Sequence, residues 1–190
     1  MTGLFAKKDE KSWRAAEAKY AEALAKQGQS RLPELDSWYR DELPGIIRAR
    51  KVRHVTLDEL VKVTEWKMKR GEWRARNLVL VKSNTPDLVK TLTTTAFRLV
   101  PDVRKPVTTI AELSGVGPAT ASAVLATVHG DVYPFFDEVV AEQIPGLGEV
   151  KFTHPYYAKY AEALRARAAA LGFRSWDANR VANALWAAGA

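Results

Sequence analysis

The chain has 190 residues, a formal charge of +7, 47% hydrophobic content and no cysteine, a length and apolar fraction that suit one domain with a real core. The lack of cysteine excludes disulfides, a thiol nucleophile and a cysteine-held iron–sulfur cluster, and His54, His129 and His154 lack the spacing of zinc ligands. No apolar run approaches a membrane-spanning length and the N-terminus lacks a signal peptide's apolar core, so a soluble, intracellular protein, cytoplasmic or nuclear, is expected.

In chain order, Trp13, Ala16, Tyr20 and Leu24 recur at helical spacing, with Gly28 as a stop. They predict one amphipathic helix over 10–27, within an N-terminal segment 1–29 that either packs on the main domain (30–190) or forms an arm. Pro33 and Pro44-Gly45 bracket a short helix, 34–43, with Trp38 and Tyr39 facing inward. Thr56 and Glu59 have capping-box spacing and open a helix through Leu57, Leu60, Val61 and Trp66 that Gly71 interrupts. Leu78-Val79-Leu80-Val81 fits strand or buried helix; its helical neighbours favour helix. Thr85-Pro86 starts another, carrying Leu88, Leu92 and Phe97, and Pro101 to Pro106 is a linker. Pro155 opens a helix to about Leu171, and Ser175 caps the last one, with Val181, Leu185 and Trp186 inside. No internal repeat is evident. The expected fold class is all-α.

Charge is uneven. Between Arg48 and Arg76 ten Lys/Arg face four Asp/Glu, the composition either of a solvated helix face or of a phosphate-binding surface. Within it, Trp66-Lys67-Met68-Lys69-Arg70-Gly71-Glu72-Trp73-Arg74 interleaves aromatics with cations, as surfaces that stack bases and neutralise phosphates do. Trp66 falls on its helix's apolar stripe and reads as core; Trp73, after the glycine, is the better pocket candidate.

The most informative stretch is Leu113-Ser114-Gly115-Val116-Gly117-Pro118-Ala119-Thr120-Ala121, which runs on into an apolar helix. Thr109 and Glu112 have capping-box spacing and predict a short helix starting there and ending at Ser114-Gly115. Gly115 and Gly117 permit a tight turn, and Pro118 suits the first position of the next helix. Such a helix–turn–helix, spanning 109–128, points unpaired amides outward, an arrangement that suits a phosphate. An ordinary αα-hairpin is the plain alternative. Asp137 stands twenty positions beyond Gly117. On its own it reads as a helix-starting residue.

The Leu-x-Gly-Val-Gly turn, Thr120-Ala121, the apolar helix and Asp137 together resemble the helix-hairpin-helix DNA glycosylase superfamily. The run Asp137-Glu138-Val139-Val140-Ala141-Glu142-Gln143-Ile144-Pro145-Gly146 looks most like its alkylpurine branch. Arg174-Ser175-Trp176 and the late Trp186 add to that likeness. The match is specific over about 105–146, suggestive from 156 to 190, and thin before residue 85. It implies two helical lobes with a cleft between them, a catalytic-loop region at 129–146 and closing helices over 155–188. It implies Asp137 as the catalytic carboxylate, stabilising positive charge at C1′ and orienting water.

Bifunctional members carry a lysine two positions after the second glycine; this chain has Ala119, so the resemblance implies a monofunctional enzyme that leaves an abasic site. The expected DNA contacts are the hairpin's Gly115, Val116, Gly117, Ala119 and Thr120, with Lys67, Lys69, Arg70 and Arg74. The expected base pocket is Trp66, Trp73, Tyr133 and Phe136. The family further implies a monovalent cation, Na+ or K+, on the carbonyls of Ala111, Leu113 and Val116, and no other cofactor. The partner would be double-stranded DNA holding a damaged base, an alkylated purine for preference, bound by a monomer. Two other readings stay open: a non-catalytic DNA-binding module, and a bifunctional enzyme whose lysine lies at Lys67 or Lys69.

Overall fold

A computed structural model describes residues 3–190, and the described residues form helices without a strand. After a short turn at Leu4–Ala6 come α1 (Glu10–Glu17) and α2 (Tyr20–Lys26). The single helix expected over 10–27 is thus broken at Ala18-Lys19 by a tightened turn in which the Lys19 amide donates to Ala16 O. The break lets α2 place Tyr20 against Asp36 while Trp13 stays in the core, a case of tertiary contact overriding periodicity. This N-terminal segment packs on the last helix, with Trp13 meeting Trp176 edge-on at 5.9 Å.

Next, α3 (Leu32–Ser37) passes through a wide π-type turn, Trp38–Glu42, into α4 (Leu43–Ala49), so the helix expected over 34–43 runs longer at both ends. The wide turn carries the chain past Pro44, which lacks an amide and would crowd the carbonyl four residues back in a regular helix. The helix α5 (Leu57–Arg70) starts on the predicted box: Glu59 N donates to Thr56 Oγ1 and Thr56 N to Glu59 Oε2. The Leu78–Val81 run lies in α6 (Ala75–Lys82), and Thr85 caps α7 (Pro86–Leu99).

Then come α8 (Lys105–Ile110), α9 (Pro118–His129), α10 (Glu138–Ala141), α11 (His154–Leu171) and α12 (Ala178–Gly189). Two predicted caps are corrected. Asp102 accepts from the amides of Arg104 and Lys105 and so starts α8 earlier, leaving Thr109 inside the helix and Glu112 in the turn. Asp177, not Ser175, caps α12 through the Arg180 amide; Ser175 has φ +67°, a left-handed geometry unlike the extended one an N-cap adopts.

Every residue of α9 from Pro118 to Thr127 is buried, which explains why this helix is apolar all round rather than on one stripe. It packs against α4, α5, α8 and α11 and is the axis of the core. Gly115 has φ +74°, and a Cβ there would fall 2.7 Å from Asn77 O and 2.8 Å from Leu80 Cβ, so the α8–α9 turn lies hard against α6. The same turn recurs where no repeat was expected: Leu113-Ser-Gly-Val-Gly117 has its counterpart in Ile144-Pro-Gly-Leu-Gly148. In both, the first residue's amide closes a turn on the helix before it, and Gly146 matches Gly115 with φ +77°. The shared signal is only two glycines and two aliphatic residues, too short to register as a repeat. No helix is long and apolar enough to cross a membrane among the described residues.

Candidate functional site

The chain before Asp137 is pinned from three helices. Phe136 N donates to Ser122 Oγ on α9 (3.0 Å), Phe135 N to Asn179 Oδ1 on α12 (3.2 Å), and the hydroxyls of Tyr157 and Tyr160 on α11 donate to the carbonyls of Pro134 and Phe135. Burial pushes both tyrosine pKa values up, so these hydroxyls stay protonated donors. Fixed this way, Asp137 caps α10, its Oδ1 accepting from Val139 N at 3.0 Å. Its Oδ2 accepts from Arg70 Nε at 3.0 Å.

Arg70 closes a buried polar network. Its guanidinium lies 3.8 Å from the centre of the Trp186 ring and donates to the Tyr20 hydroxyl. Tyr20 donates to Asp36, which also accepts from Trp66 Nε1 and pairs with Arg40. Burial alone would lower the Arg70 pKa; Tyr20 and Asp137 outweigh it and hold the group charged.

Asp137 faces a cavity of about 260 Å³ lined by Lys67, Arg70, Gly71, Glu72, Arg74 and Asn77 on one side and Gly117, Pro118, Ala119 and Thr120 on the other. Phe135, Phe136, Glu138, Val139 and Phe152 complete it. The volume lies just under the roughly 300–1,000 Å³ of pockets for drug-sized ligands. Phe136, in the lining, packs against the rings of Tyr156, Tyr157 and Tyr160. Burial and the charge of Arg74 pull the Lys67 pKa down to about 8.

Of the sequence-predicted residues the cavity brings together Asp137, Gly117, Ala119, Thr120, Lys67, Arg70, Arg74 and Phe136. Others are corrected. Arg70 is buried and ion-paired, so it holds the carboxylate and has no access to a phosphate. Trp66 is core: it stacks on Tyr39 at 3.7 Å and its Nε1 is taken by Asp36. Tyr133 is fully buried with its hydroxyl on Asp102 O, outside the cavity. Trp73 is half exposed and outside the lining, with the Lys69 ammonium 5.5 Å from its ring centre. Gly115 and Val116 sit behind the lining; Gly115 alone needs the left-handed geometry, while Gly117 has φ −108° and open space where a Cβ would stand. The basic run 48–76 is not one surface: Arg48 lines a separate hollow with Arg40 and Asn183, and Arg50 and Lys51 line an open depression along α7.

Two site residues escaped the sequence reading. Asn84, after α6, clamps the hairpin: Ser114 N donates to its Oδ1 (2.9 Å) and its Nδ2 donates to Ser114 O (3.0 Å). Phe152 is returned to Phe136, at 5.2 Å, by the second glycine turn. Recognising Ile144–Gly148 as a copy of Leu113–Gly117 would have pointed to it.

A monovalent cation on Ala111, Leu113 and Val116 would need carbonyl oxygens with free lone pairs. The Ala111 and Val116 carbonyls accept no hydrogen bond among the described residues, and Leu113 O accepts one, from Val116 N. Neutral main-chain oxygens of this kind suit a hard monovalent ion. No group of His, Cys, Asp or Glu could hold another metal among the described residues. No protein-family model, curated protein or solved structure matches the chain.

Proposed function

We propose that the chain is a monofunctional DNA N-glycosylase of the helix-hairpin-helix type, with two helical lobes meeting at the cavity. One observation carries this reading: a carboxylate fixed on both oxygens, Asp137, shares a single small cavity with the start of α9, Gly117 to Thr120. An everted nucleotide would put its sugar beside Asp137 and its phosphate against the amides that open α9. As the C1′–N bond breaks, positive charge grows on the sugar, and a preorganised carboxylate stabilises it and orients the attacking water. Ala119, in the lining, has no amine to replace water as nucleophile.

Phe135, Phe136 and Phe152 give the base an aromatic surround, which favours a cationic alkylated purine over a neutral base. Gly117 leaves room for close backbone approach, and Arg74 stands in the lining near the rim. The carbonyls of Ala111, Leu113 and Val116 would hold a monovalent cation, which when bound offsets phosphate charge at the hairpin. The partner is double-stranded DNA with a damaged base, met inside the cell by a monomer.

Duplexes carrying single alkylated or oxidised bases test the proposal: incubation should release the base and give strand breaks after alkali. Asp137→Asn should abolish release while the duplex is still bound. A second reading has its own observation, since both Asp137 oxygens already serve Val139 N and Arg70, as a purely structural cap would. A non-catalytic DNA-binding module predicts a gel shift without base release from any duplex, unchanged in Asp137→Asn.

A further inference from the structure

We propose that the hollow of about 210 Å³ lined from α4, α9 and α12 is a binding site for one oxyanion group, a phosphate or a carboxylate, separate from the Asp137 cavity. The site stands on its own residues, whether or not the chain excises bases.

Asn179 and Asn183 stand one turn apart on the same face of α12, and both line the hollow. Their orientations are forced. A guanidinium and a backbone N–H can only donate, so Arg40 Nη2 fixes the Asn183 oxygen at 2.9 Å and Phe135 N fixes that of Asn179 at 3.2 Å. The two amino groups are left without an acceptor among the described residues. Arg48, on α4, also lines the hollow and makes no hydrogen bond or ion pair among the described residues. No Asp or Glu lines it, and Asp36, which pairs with Arg40, already accepts from Tyr20 and Trp66. Unused donors beside a free guanidinium, with no carboxylate among them, are what an oxyanion needs.

One feature opposes an anion. The last turns of α9 put Ala126 and Thr127 in the wall, and a helix C-terminus carries about half a negative charge. The whole charge of Arg48 outweighs it, which makes Arg48 the deciding residue. The surplus is felt at His129, the last residue of α9, where burial first and then the charges of Arg53 and Arg48, against that of Asp131, hold the pKa below the ordinary histidine value. Phe135 is a wall of both the hollow and the Asp137 cavity, and Asn179 holds its amide two residues before Asp137. An occupant of the hollow therefore braces the chain that carries the carboxylate.

The test titrates the isotope-labelled full chain with inorganic phosphate, acetate or a short undamaged duplex, at an ionic strength held constant with chloride, and follows amide resonances by NMR. Saturable shifts of the Asn179 and Asn183 amino groups and of the Phe135 amide are expected. Saturation by phosphate or acetate but not by the duplex identifies a small free anion, and saturation by the duplex identifies a DNA backbone phosphate; both support the site. The dissociation constant should rise about tenfold or more in Arg48→Gln and in Asn183→Asp. It should not change in Arg74→Gln, which takes a cation from the other cavity. Asn183→Asp keeps the acceptor for Arg40 while setting a negative charge in the hollow, and circular dichroism melting checks that each variant folds. No saturable shift, shifts confined to Gly117–Thr120, native affinity in folded Arg48→Gln and Asn183→Asp, or an equal loss in Arg74→Gln overturns the proposal.

Discussion

Arg70 donates through Nε to Asp137 Oδ2 at 3.0 Å, and the two side chains are 2% and 9% exposed. The pair joins α5 to the start of α10 and is the buried contact that aims the carboxylate. Removing one partner of a buried pair leaves the other charge without compensation, at a cost of about 3–5 kcal/mol. Arg70→Met should therefore lower stability by about that much in urea denaturation and also depress base release. Asp137→Asn should cost a similar amount: asparagine has one acceptor oxygen where the aspartate uses two, so it keeps the cap on Val139 N or the bond from Arg70 but not both, and Arg70 loses its counter-charge. The chemistry is therefore read on the folded fraction: base release preserved in folded Asp137→Asn would sink the catalytic assignment.

Lys67 gives a pH dependence whose sign follows from the direction of its shift. Its pKa falls from 10.5 unfolded to about 8 folded, so between those values the unfolded chain binds more protons and stability rises with pH. The penalty of the buried ammonium is full below pH 8 and relieved toward pH 10.5. Lys67→Met removes it, so the variant should be the more stable one at pH 7, by about 3 kcal/mol at most. Its advantage over the native chain should shrink from pH 8 to pH 10.5 in parallel urea titrations. An advantage that stays constant across that range would mean the lysine is solvated in the folded protein.

The two hairpin glycines should respond differently. At Gly115 an alanine meets a left-handed φ and backbone of α6 closer than 3.0 Å, so Gly115→Ala should cost more than 2 kcal/mol and blunt DNA binding. At Gly117 the backbone is extended and the space open, so Gly117→Ala should melt within a degree or two of the native chain. It should still weaken duplex binding, because the new methyl stands where the phosphate approaches. Equal melting shifts in the two variants would contradict this division of roles.

The sequence was legible where a local rule coincided with the tertiary structure. Thr56-Glu59 and Thr85-Pro86 capped the helices they promised, because those caps need only neighbours along the chain. Asp137 and the hairpin were legible because the glycine turn, the apolar helix and the acid are close in sequence, so their spacing carries the geometry. Arg70 was misread for the opposite reason. Its ionic partner is 67 residues away, and nothing in Lys-Arg-Gly marks one cation as buried and the next as solvated. Trp66, though placed in the expected base pocket, was legible as core from the apolar stripe of its helix, and it stacks on Tyr39 of the Trp38–Glu42 turn. Thr109-Glu112 failed because Asp102 offered an earlier cap to the same helix.

Asn84 tests how firmly the hairpin must be held. Its side chain gives and takes one hydrogen bond with the Ser114 backbone, and its Nδ2 also donates to Val81 O at 2.9 Å. Asn84→Leu strands the Ser114 amide and carbonyl beside α6, which should cost about 1–3 kcal/mol. Asn84→Asp keeps the acceptor for Ser114 N but sets a carboxylate against Ser114 O, so it should lose nearly as much. Both should raise the duplex dissociation constant several-fold while leaving the Asp137 environment unchanged, so that saturating enzyme restores base release. Loss of release even at saturation would show that Asn84 acts on the cavity itself.

Phe152 should govern what the cavity accepts. It is 44% exposed, so Phe152→Ala removes little buried area and should shift melting only slightly. Its ring nevertheless closes one wall against Phe136, and its loss opens that wall to water. A cationic base held by aromatic faces loses roughly 0.5–2 kcal/mol of attraction when one face goes, or about a two- to thirty-fold rise in KM, with kcat for bound substrate less affected. Phe152→Leu keeps the apolar wall without the π face and should recover little of the loss for a methylated purine. For a neutral base it should recover most. Full recovery by leucine for both substrates would remove the argument that the cavity selects a positively charged base.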